Sequence, residues 1–123
     1  MSVKNIIDGL KLKGRPVEIP DCTRQDLPGF FKKMGYKVGA EIGVYKGDFT
    51  KEFCDAGLKM YGIDPWKAYG NYNEFPDDMK RFQDRQDFLY AHTQRYLADH
   101  IKSGKCELVK KTSMDAIEDF EDE

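Results

Sequence analysis

Two stretches decide the fold of this chain: VGAEIGVYKGDFT, residues 38–50, and MYGIDPW, residues 60–66. Residues 36–42 form a short, mostly apolar run that is typical of a buried parallel strand. Apolar residues then recur at a helical spacing through residues 48–56, and Gly57 is placed to end that helix. Residues 58–63 predict a second strand. The order strand, helix, strand favours a right-handed parallel βαβ unit.

Two glycines and two acids in these stretches are candidates for a ligand site. Gly43 allows a sharp turn after the first strand because it has no Cβ, and Gly47 lets the backbone approach a ligand or the strand closely. Asp64 follows the second strand, where ligands of open α/β sheets bind, and its carboxylate can accept two hydrogen bonds from a ribose diol. Glu41 is placed to meet the cationic part of a ligand. Each acid alone is better explained as a local backbone cap, whereas the pair at this spacing favours a binding site.

The loop after the first strand discriminates between cofactors. The nicotinamide fingerprint G-x-G-x-x-G requires a middle glycine, which residues 43–47 lack. Tyr45 would crowd a pyrophosphate at the helix start, and Glu41 in the first strand would repel it. The loop therefore disfavours a dinucleotide and suits a cofactor that has no phosphates and carries positive charge.

Residues 40–49 and 61–66 together resemble the first and second motifs of class I S-adenosylmethionine-dependent methyltransferases. The resemblance is strongest to the small-molecule type whose first motif reads E-I-G-x-x-x-G. It implies that S-adenosylmethionine is the cofactor, that the acid and glycines of the first motif line its methionine end, that Asp64 holds the ribose hydroxyls and that Trp66 lies near the adenine.

A third element of the same family follows. Residues 105–111 predict a third strand, and residues 112–117 predict a helix with Thr112 or Ser113 as its N-cap. In similar methyltransferases the residues just after this strand contact the adenine ring, so the resemblance adds Ser113 and Met114. Ser113 is explained equally well as a plain helix cap, and the two roles are compatible. The candidate cofactor-binding residues are Glu41, Gly43, Tyr45, Gly47, Asp64, Trp66, Ser113 and Met114.

Two more helices and one loop complete the prediction. Residues 23–35 predict a short helix with Asp26 as its N-cap. A long packing helix is predicted to begin after Pro76 and to end at Gly104. The aromatic loop at residues 67–76 either shapes the ligand site or is an ordinary surface loop.

Composition limits the possible partners. The chain has 123 residues, of which 40% are hydrophobic, and we expect one domain, residues 1–123. Its net charge of −2 gives no electrostatic case for nucleic acid. Without a long apolar run or a signal peptide, we expect no membrane association and a cytoplasmic location. Three cysteines without C-x-x-C spacing, and two histidines eight residues apart, predict neither a disulfide framework nor a metal site.

These elements predict an α/β, Rossmann-like three-layer sandwich with a partial parallel sheet of about three strands and flanking helices. The resemblance covers residues 25–120 and lacks the family's fourth strand, so we expect the amino-terminal, cofactor-binding part of a methyltransferase or an unusually small relative. The expected reaction is methyl transfer to an unidentified small-molecule or sugar-like acceptor, with no assignable catalytic base, so whether this chain alone is an active enzyme stays open. The alternative is a non-catalytic Rossmann-like module that binds a nucleoside or a protein partner.

The lack of a fourth strand also bears on assembly. In the complete family sheet the first strand is central, so one edge of residues 36–42 would have unpaired backbone groups here. We expect either a homodimer through this exposed sheet edge or a cover provided by residues 1–20.

Overall fold

The structure is a computed structural model that describes Asp8, Lys11, residues 22–69 and residues 76–120, with the backbone alone at residues 76–79. Its strands are β1 (Val38–Ile42), β2 (Lys59–Ile63) and β3 (Cys106–Val109). Its helices are α1 (Leu27–Lys33), α2 (Asp48–Asp55), α3 (Pro76–Tyr96), α4 (Ala98–Lys102) and α5 (Ser113–Ala116). Short 3-10 turns lie at Arg24–Asp26 and Ile117–Asp119. No helix in these described parts is both long and apolar enough to cross a bilayer.

The three strands form one open sheet in which all neighbours are parallel. Their order is β1-β2-β3, so β2 is central and β1 lies at one edge. Ala40 is in register with Tyr61, which is in register with Glu107 on β3. The predicted α/β class, with a three-stranded parallel sheet and flanking helices, is confirmed.

The core lies between one face of this sheet and helices α2 and α4. Side chains alternate along a strand, so Gly39, Met60 and Cys106 share the covered face. The buried residues of this core are Phe53, Cys54, Leu58, Met60, Leu97 and Cys106. On the opposite face Tyr61 packs edge-on against Phe120, with ring centroids 5.0 Å apart.

The long helix was predicted as one piece, and that prediction is wrong at Leu97. Leu97 leaves the helical backbone, with φ −99° and ψ 9°, and separates α3 from α4. Its side chain is fully buried in the core, so packing against the sheet, rather than helix propensity, sets the break. Gly104, in the left-handed region at φ +80°, follows α4 as predicted for a helix end.

The helix before β1 is shorter than predicted. Asp26 occupies the predicted N-cap position of α1, but its carboxylate accepts a 2.7 Å hydrogen bond from the Thr23 amide instead of capping α1. The bond closes the 3-10 turn that precedes α1. The first strand likewise begins at Val38 instead of residue 36.

Candidate functional site

The connection from β1 to α2, residues 43–47, leaves the carboxyl end of β1 in an unusual backbone conformation. Gly43, Tyr45 and Gly47 all lie in the left-handed region, with φ of +85°, +59° and +85°. The Gly43 amide donates to the carbonyl of Ile63 at 2.9 Å, which ties the start of the loop to the end of β2. The loop therefore lies where β1 and β2 both end, the position at which open α/β sheets bind ligands.

Asp64 holds this loop in place. Its Oδ2 accepts hydrogen bonds from the amides of Val44 at 3.0 Å and Tyr45 at 3.1 Å, and its Oδ1 accepts from the Trp66 amide at 2.8 Å. A carboxylate offers about four acceptor positions, and three are filled here. The expected pair of ribose hydrogen bonds is thereby reduced to one in this conformation. Asp64 is first of all a brace between the two motifs.

The carbonyl of Tyr45 is the second fixed point of the loop. It accepts hydrogen bonds from Trp66 Nε1 at 3.1 Å and from the Thr93 hydroxyl at 2.9 Å. A left-handed backbone at a residue other than glycine costs of the order of 1–3 kcal/mol and persists only where its surroundings hold it. The Tyr45 ring is 50% exposed, so the strained backbone presents an aromatic face at the surface.

Trp66 lies beneath the loop and is buried. Its side chain is 1% exposed and packs against Tyr90, with ring centroids 4.7 Å apart. The expectation that Trp66 lies near an adenine stays a prediction, but the buried indole presents no exposed face for such a contact in this conformation. Its ring instead packs with Val44 and Leu89 in a second buried cluster.

The two loop glycines differ in what surrounds them. A Cβ at Gly47 would lie 3.0 Å from both Leu97 Cδ1 and Thr93 Cγ2, whereas a Cβ at Gly43 would meet nothing within 4 Å. The close approach predicted at Gly47 is thus an approach to α3 and to Leu97 just beyond it. At Gly43 the backbone conformation, and not crowding, excludes a side chain.

Glu41 faces α2 from the covered side of β1. The Thr50 hydroxyl donates to its Oε2 at 3.0 Å. Burial raises the pKa of the Glu41 carboxyl, against smaller opposing effects of the Thr50 hydrogen bond and the Arg24 charge. Glu41 also lines a largely apolar groove of about 450 Å³ along β1, together with Phe31 and Phe49. A half-buried carboxylate of this kind favours a nearby cation.

Ser113 and Met114 lie just past the carboxyl end of β3. The Asp64 amide donates to the Val109 carbonyl at 3.2 Å, so the ends of β2 and β3 are adjacent. Thr112 is the N-cap of α5, since its hydroxyl accepts from the Asp115 amide at 3.1 Å. The alternative of Ser113 as the cap is therefore wrong, whereas Thr112 is confirmed. Ser113 is exposed and Met114 is 76% exposed, so both are open to a ligand.

Two polar residues of α3 belong to this site although no sequence pattern predicted them. Thr93 is fully buried and bonds the Tyr45 carbonyl, as above. Gln83 accepts from the Ala68 amide at 2.9 Å and donates to the Trp66 carbonyl at 3.2 Å. Both are polar residues of a helix that was expected only to pack on the sheet. Nothing in their spacing along the sequence distinguishes them from surface residues.

The structure thus brings the loop, Asp64 and Trp66 into one hydrogen-bonded unit, while Glu41 faces the groove along β1. Much of the aromatic loop, residues 70–75, lies outside the described residues. The described residues contain no group of three side chains that could hold a metal ion. No family model, curated protein or solved structure matches this chain. Its own geometry therefore carries the functional argument.

Proposed function

We propose that this chain is the cofactor-binding portion of a Rossmann-like, S-adenosylmethionine-dependent methyltransferase that acts on a small-molecule or sugar-like acceptor. The observation that carries the proposal is the braced loop at residues 43–47. The carboxylate of Asp64, in the second motif, accepts hydrogen bonds from the amides of Val44 and Tyr45, in the first motif. This contact lies at the carboxyl ends of the parallel strands β1 and β2. That position is the general ligand site of open α/β sheets.

The exposed groups around the loop suit the adenosine end of the cofactor. The Tyr45 ring and the Met114 side chain offer apolar surface for a purine. The remaining acceptor position of Asp64 takes one ribose hydroxyl. Trp66 supports the loop from below and makes no contact with the ligand in this arrangement.

Charge favours a cationic cofactor. Burial raises the pKa of Glu41, so a positive group nearby stabilises its ionised form. S-adenosylmethionine carries a sulfonium and an ammonium group and no phosphate. When bound, the cofactor supplies an activated methyl group, and the contribution of the protein is to orient it toward a nucleophile.

Titration calorimetry with S-adenosylmethionine, S-adenosylhomocysteine and NAD tests this proposal. We expect the two adenosyl ligands to bind and NAD to bind more weakly. Asp64→Asn should weaken binding by about tenfold, since one hydrogen bond to a charged acceptor contributes roughly 1.5 kcal/mol. Asp119→Asn is the matched control, because Asp119 pairs with Lys111 on the exposed surface. A folded chain that binds neither adenosyl ligand, or that binds NAD more tightly, contradicts the proposal.

A second function, a non-catalytic module that binds a nucleoside, is favoured by one observation. Three of the acceptor positions of Asp64 are filled by backbone amides of the same chain, which is the behaviour of a structural residue and not of a ligand-binding one. This function predicts that adenosine binds as tightly as S-adenosylmethionine, because the methionine end then adds nothing. Comparing the two ligands in the same calorimeter separates the two functions.

A further inference from the structure

The outer edge of β1 presents a regular row of backbone groups. The Lys37 carbonyl accepts from Lys59 at 2.8 Å, and the Gly43 amide donates to Ile63 at 2.9 Å. Backbone groups in a parallel ladder alternate between its two sides, so the odd-numbered residues of β1 bond β2. The amides and carbonyls of Val38, Ala40 and Ile42 therefore point outward, and no other strand of residues 22–69 and 76–120 pairs with them.

The same edge is apolar. The Val38 and Ile42 side chains are 58% and 69% exposed on the less covered face of the sheet. On the other face runs the groove of about 450 Å³, where Gly39 contributes no side chain and Met60 forms part of the wall. Edge strands that stay unpaired are commonly protected by proline, lysine, a bulge or a charge that points into the covered face. Residues 38–42 contain only the last of these, Glu41, and its carboxylate is bound to Thr50 of its own chain. The outward backbone groups of the edge are therefore left largely unprotected.

We propose that β1 pairs with β1 of a second copy of this chain, in antiparallel orientation, across a twofold axis at Ala40. The backbone pattern is self-complementary about this residue. Val38 lies opposite Ile42 of the partner subunit, and Ala40 lies opposite Ala40 of the partner subunit. The outward groups of these residues supply six hydrogen bonds, and the two three-stranded sheets become one sheet of six strands.

Side chains and charges are compatible with this register. The exposed Val38 covers Ile42 of the partner subunit, an apolar pair on one face. On the other face Glu41 lies opposite Gly39 of the partner subunit, which has no side chain. Its diagonal neighbours are Lys37 of the partner subunit, of opposite charge, and Glu41 of the partner subunit. Each Glu41 is drawn toward its own α2 by the bond with Thr50, which separates the two carboxylates.

Light scattering over a concentration series, with hydrogen exchange, tests the dimer. Two variants target the edge: Ala40→Pro removes an outward amide and leaves the bonds to β2 intact, and Val38→Lys places an ammonium group in the apolar pair. Ile117→Lys is the matched control, since Ile117 is 63% exposed and belongs to the 3-10 turn Ile117–Asp119 and not to a strand. We expect twice the chain mass for the wild type and the control. In both edge variants the dissociation constant should rise about tenfold or more.

Each other outcome overturns the proposal. A monomer with protected amides at Val38, Ala40 and Ile42 would mean that residues 1–21 cover the edge. A monomer with fast exchange at these amides would mean that the edge stays open. A dimer that survives both edge variants would have its interface elsewhere, and open-ended aggregates would exclude a closed twofold pair. Val38→Lys keeps the test valid if Ala40→Pro does not fold.

Discussion

At the scale of single residues, the glycines and the acids of the two motifs each have different structural surroundings. Gly43 and Gly47 share φ +85°, yet only Gly47 is enclosed by neighbouring side chains. Asp64 and Glu41, the two acids of the motifs, also differ. Asp64 accepts hydrogen bonds from three backbone amides, whereas Glu41 accepts one from the Thr50 hydroxyl and has a raised pKa.

The glycine pair gives a direct stability prediction. Gly43→Ala should lower the free energy of unfolding by about 1–2 kcal/mol, the cost of a left-handed backbone at a residue with a Cβ. Gly47→Ala should cost more, because its Cβ would press on Thr93 and Leu97 at 3.0 Å. Urea unfolding of the two variants measures the difference. Equal losses of unfolding free energy in the two variants would show that the Thr93 and Leu97 side chains move aside without destabilising the fold.

Glu41 makes the stability of the fold depend on pH. Its pKa is raised in the folded chain, mainly by burial, so the folded state holds its proton more tightly than the unfolded state does. Stability contributed by protonated Glu41 is present below the unfolded pKa near 4.5 and is lost as the pH rises through the folded pKa. We therefore expect Glu41→Gln to unfold at a higher temperature than the wild type at pH 7, with the difference shrinking toward pH 4.

Thermal melts at the two pH values check this prediction. A wild type that melts at a higher temperature than Glu41→Gln at pH 7 would show the opposite balance. The Thr50 hydrogen bond and the Arg24 charge would then stabilise ionised Glu41 by more than burial destabilises it. Glu107→Gln is a matched control, because Glu107 is exposed on β3. It should shift the melting temperature little at either pH.

At the scale of elements, helix α3 sets the conformation of a loop more than 40 residues away in sequence. The single hydroxyl proton of Thr93 is shared between two carbonyl acceptors, that of Tyr45 at 2.9 Å and that of Leu89 in its own helix at 2.7 Å. Trp66 adds the second donor to Tyr45. The strained loop is therefore held from one side by Asp64 and from the other by α3.

Thr93→Val keeps the shape of the side chain and removes its hydroxyl. We expect the amides of Val44 and Tyr45 to exchange with solvent about fivefold faster or more, since losing one net hydrogen bond is worth roughly 1 kcal/mol. Hydrogen exchange measures this. Thr112→Val, which removes the cap of α5, is the control and should leave these two amides unchanged. Unchanged exchange in Thr93→Val would mean that Asp64 alone holds the loop.

The sequence predicted the helices and strands well, but it did not predict the buried contacts that hold the loop and the helices in place. Glycines and apolar spacing located β1, α2, β2 and β3 because these signals are local and act within a few residues. Leu97, Thr93 and the buried state of Trp66 could not be predicted, because each depends on partners that are distant in the chain and that only the folded sheet brings together. Asp64 was expected to hold a ribose, and that role stays a prediction; a spacing of 20 residues does not reveal that backbone amides fill three of its acceptor positions.

At the scale of the whole molecule, the proposed cofactor site and the proposed dimer edge share β1 but use different parts of it. The site lies at the carboxyl end of β1 and in the loop after it, whereas the edge is centred on Ala40. The ends of all three strands contribute to the site, through Gly43, Asp64 and the residues after β3. A ligand bound there would connect all three strands of the sheet.

Such a ligand should therefore stabilise the chain as a whole. A ligand that binds only the folded state adds about 2.7 kcal/mol at a free concentration 100 times its dissociation constant, so S-adenosylmethionine should raise the melting temperature measurably. The increase should be smaller in Asp64→Asn, whose loop brace is weakened. It should be retained in Val38→Lys, because Val38 lies at the opposite end of β1 from the loop. Thermal melts of the three proteins, at one protein concentration and with saturating ligand, provide the comparison. Loss of the increase in Val38→Lys would mean that ligand binding needs the dimer, whereas no increase in any of the three would contradict the cofactor proposal and leave the edge proposal standing.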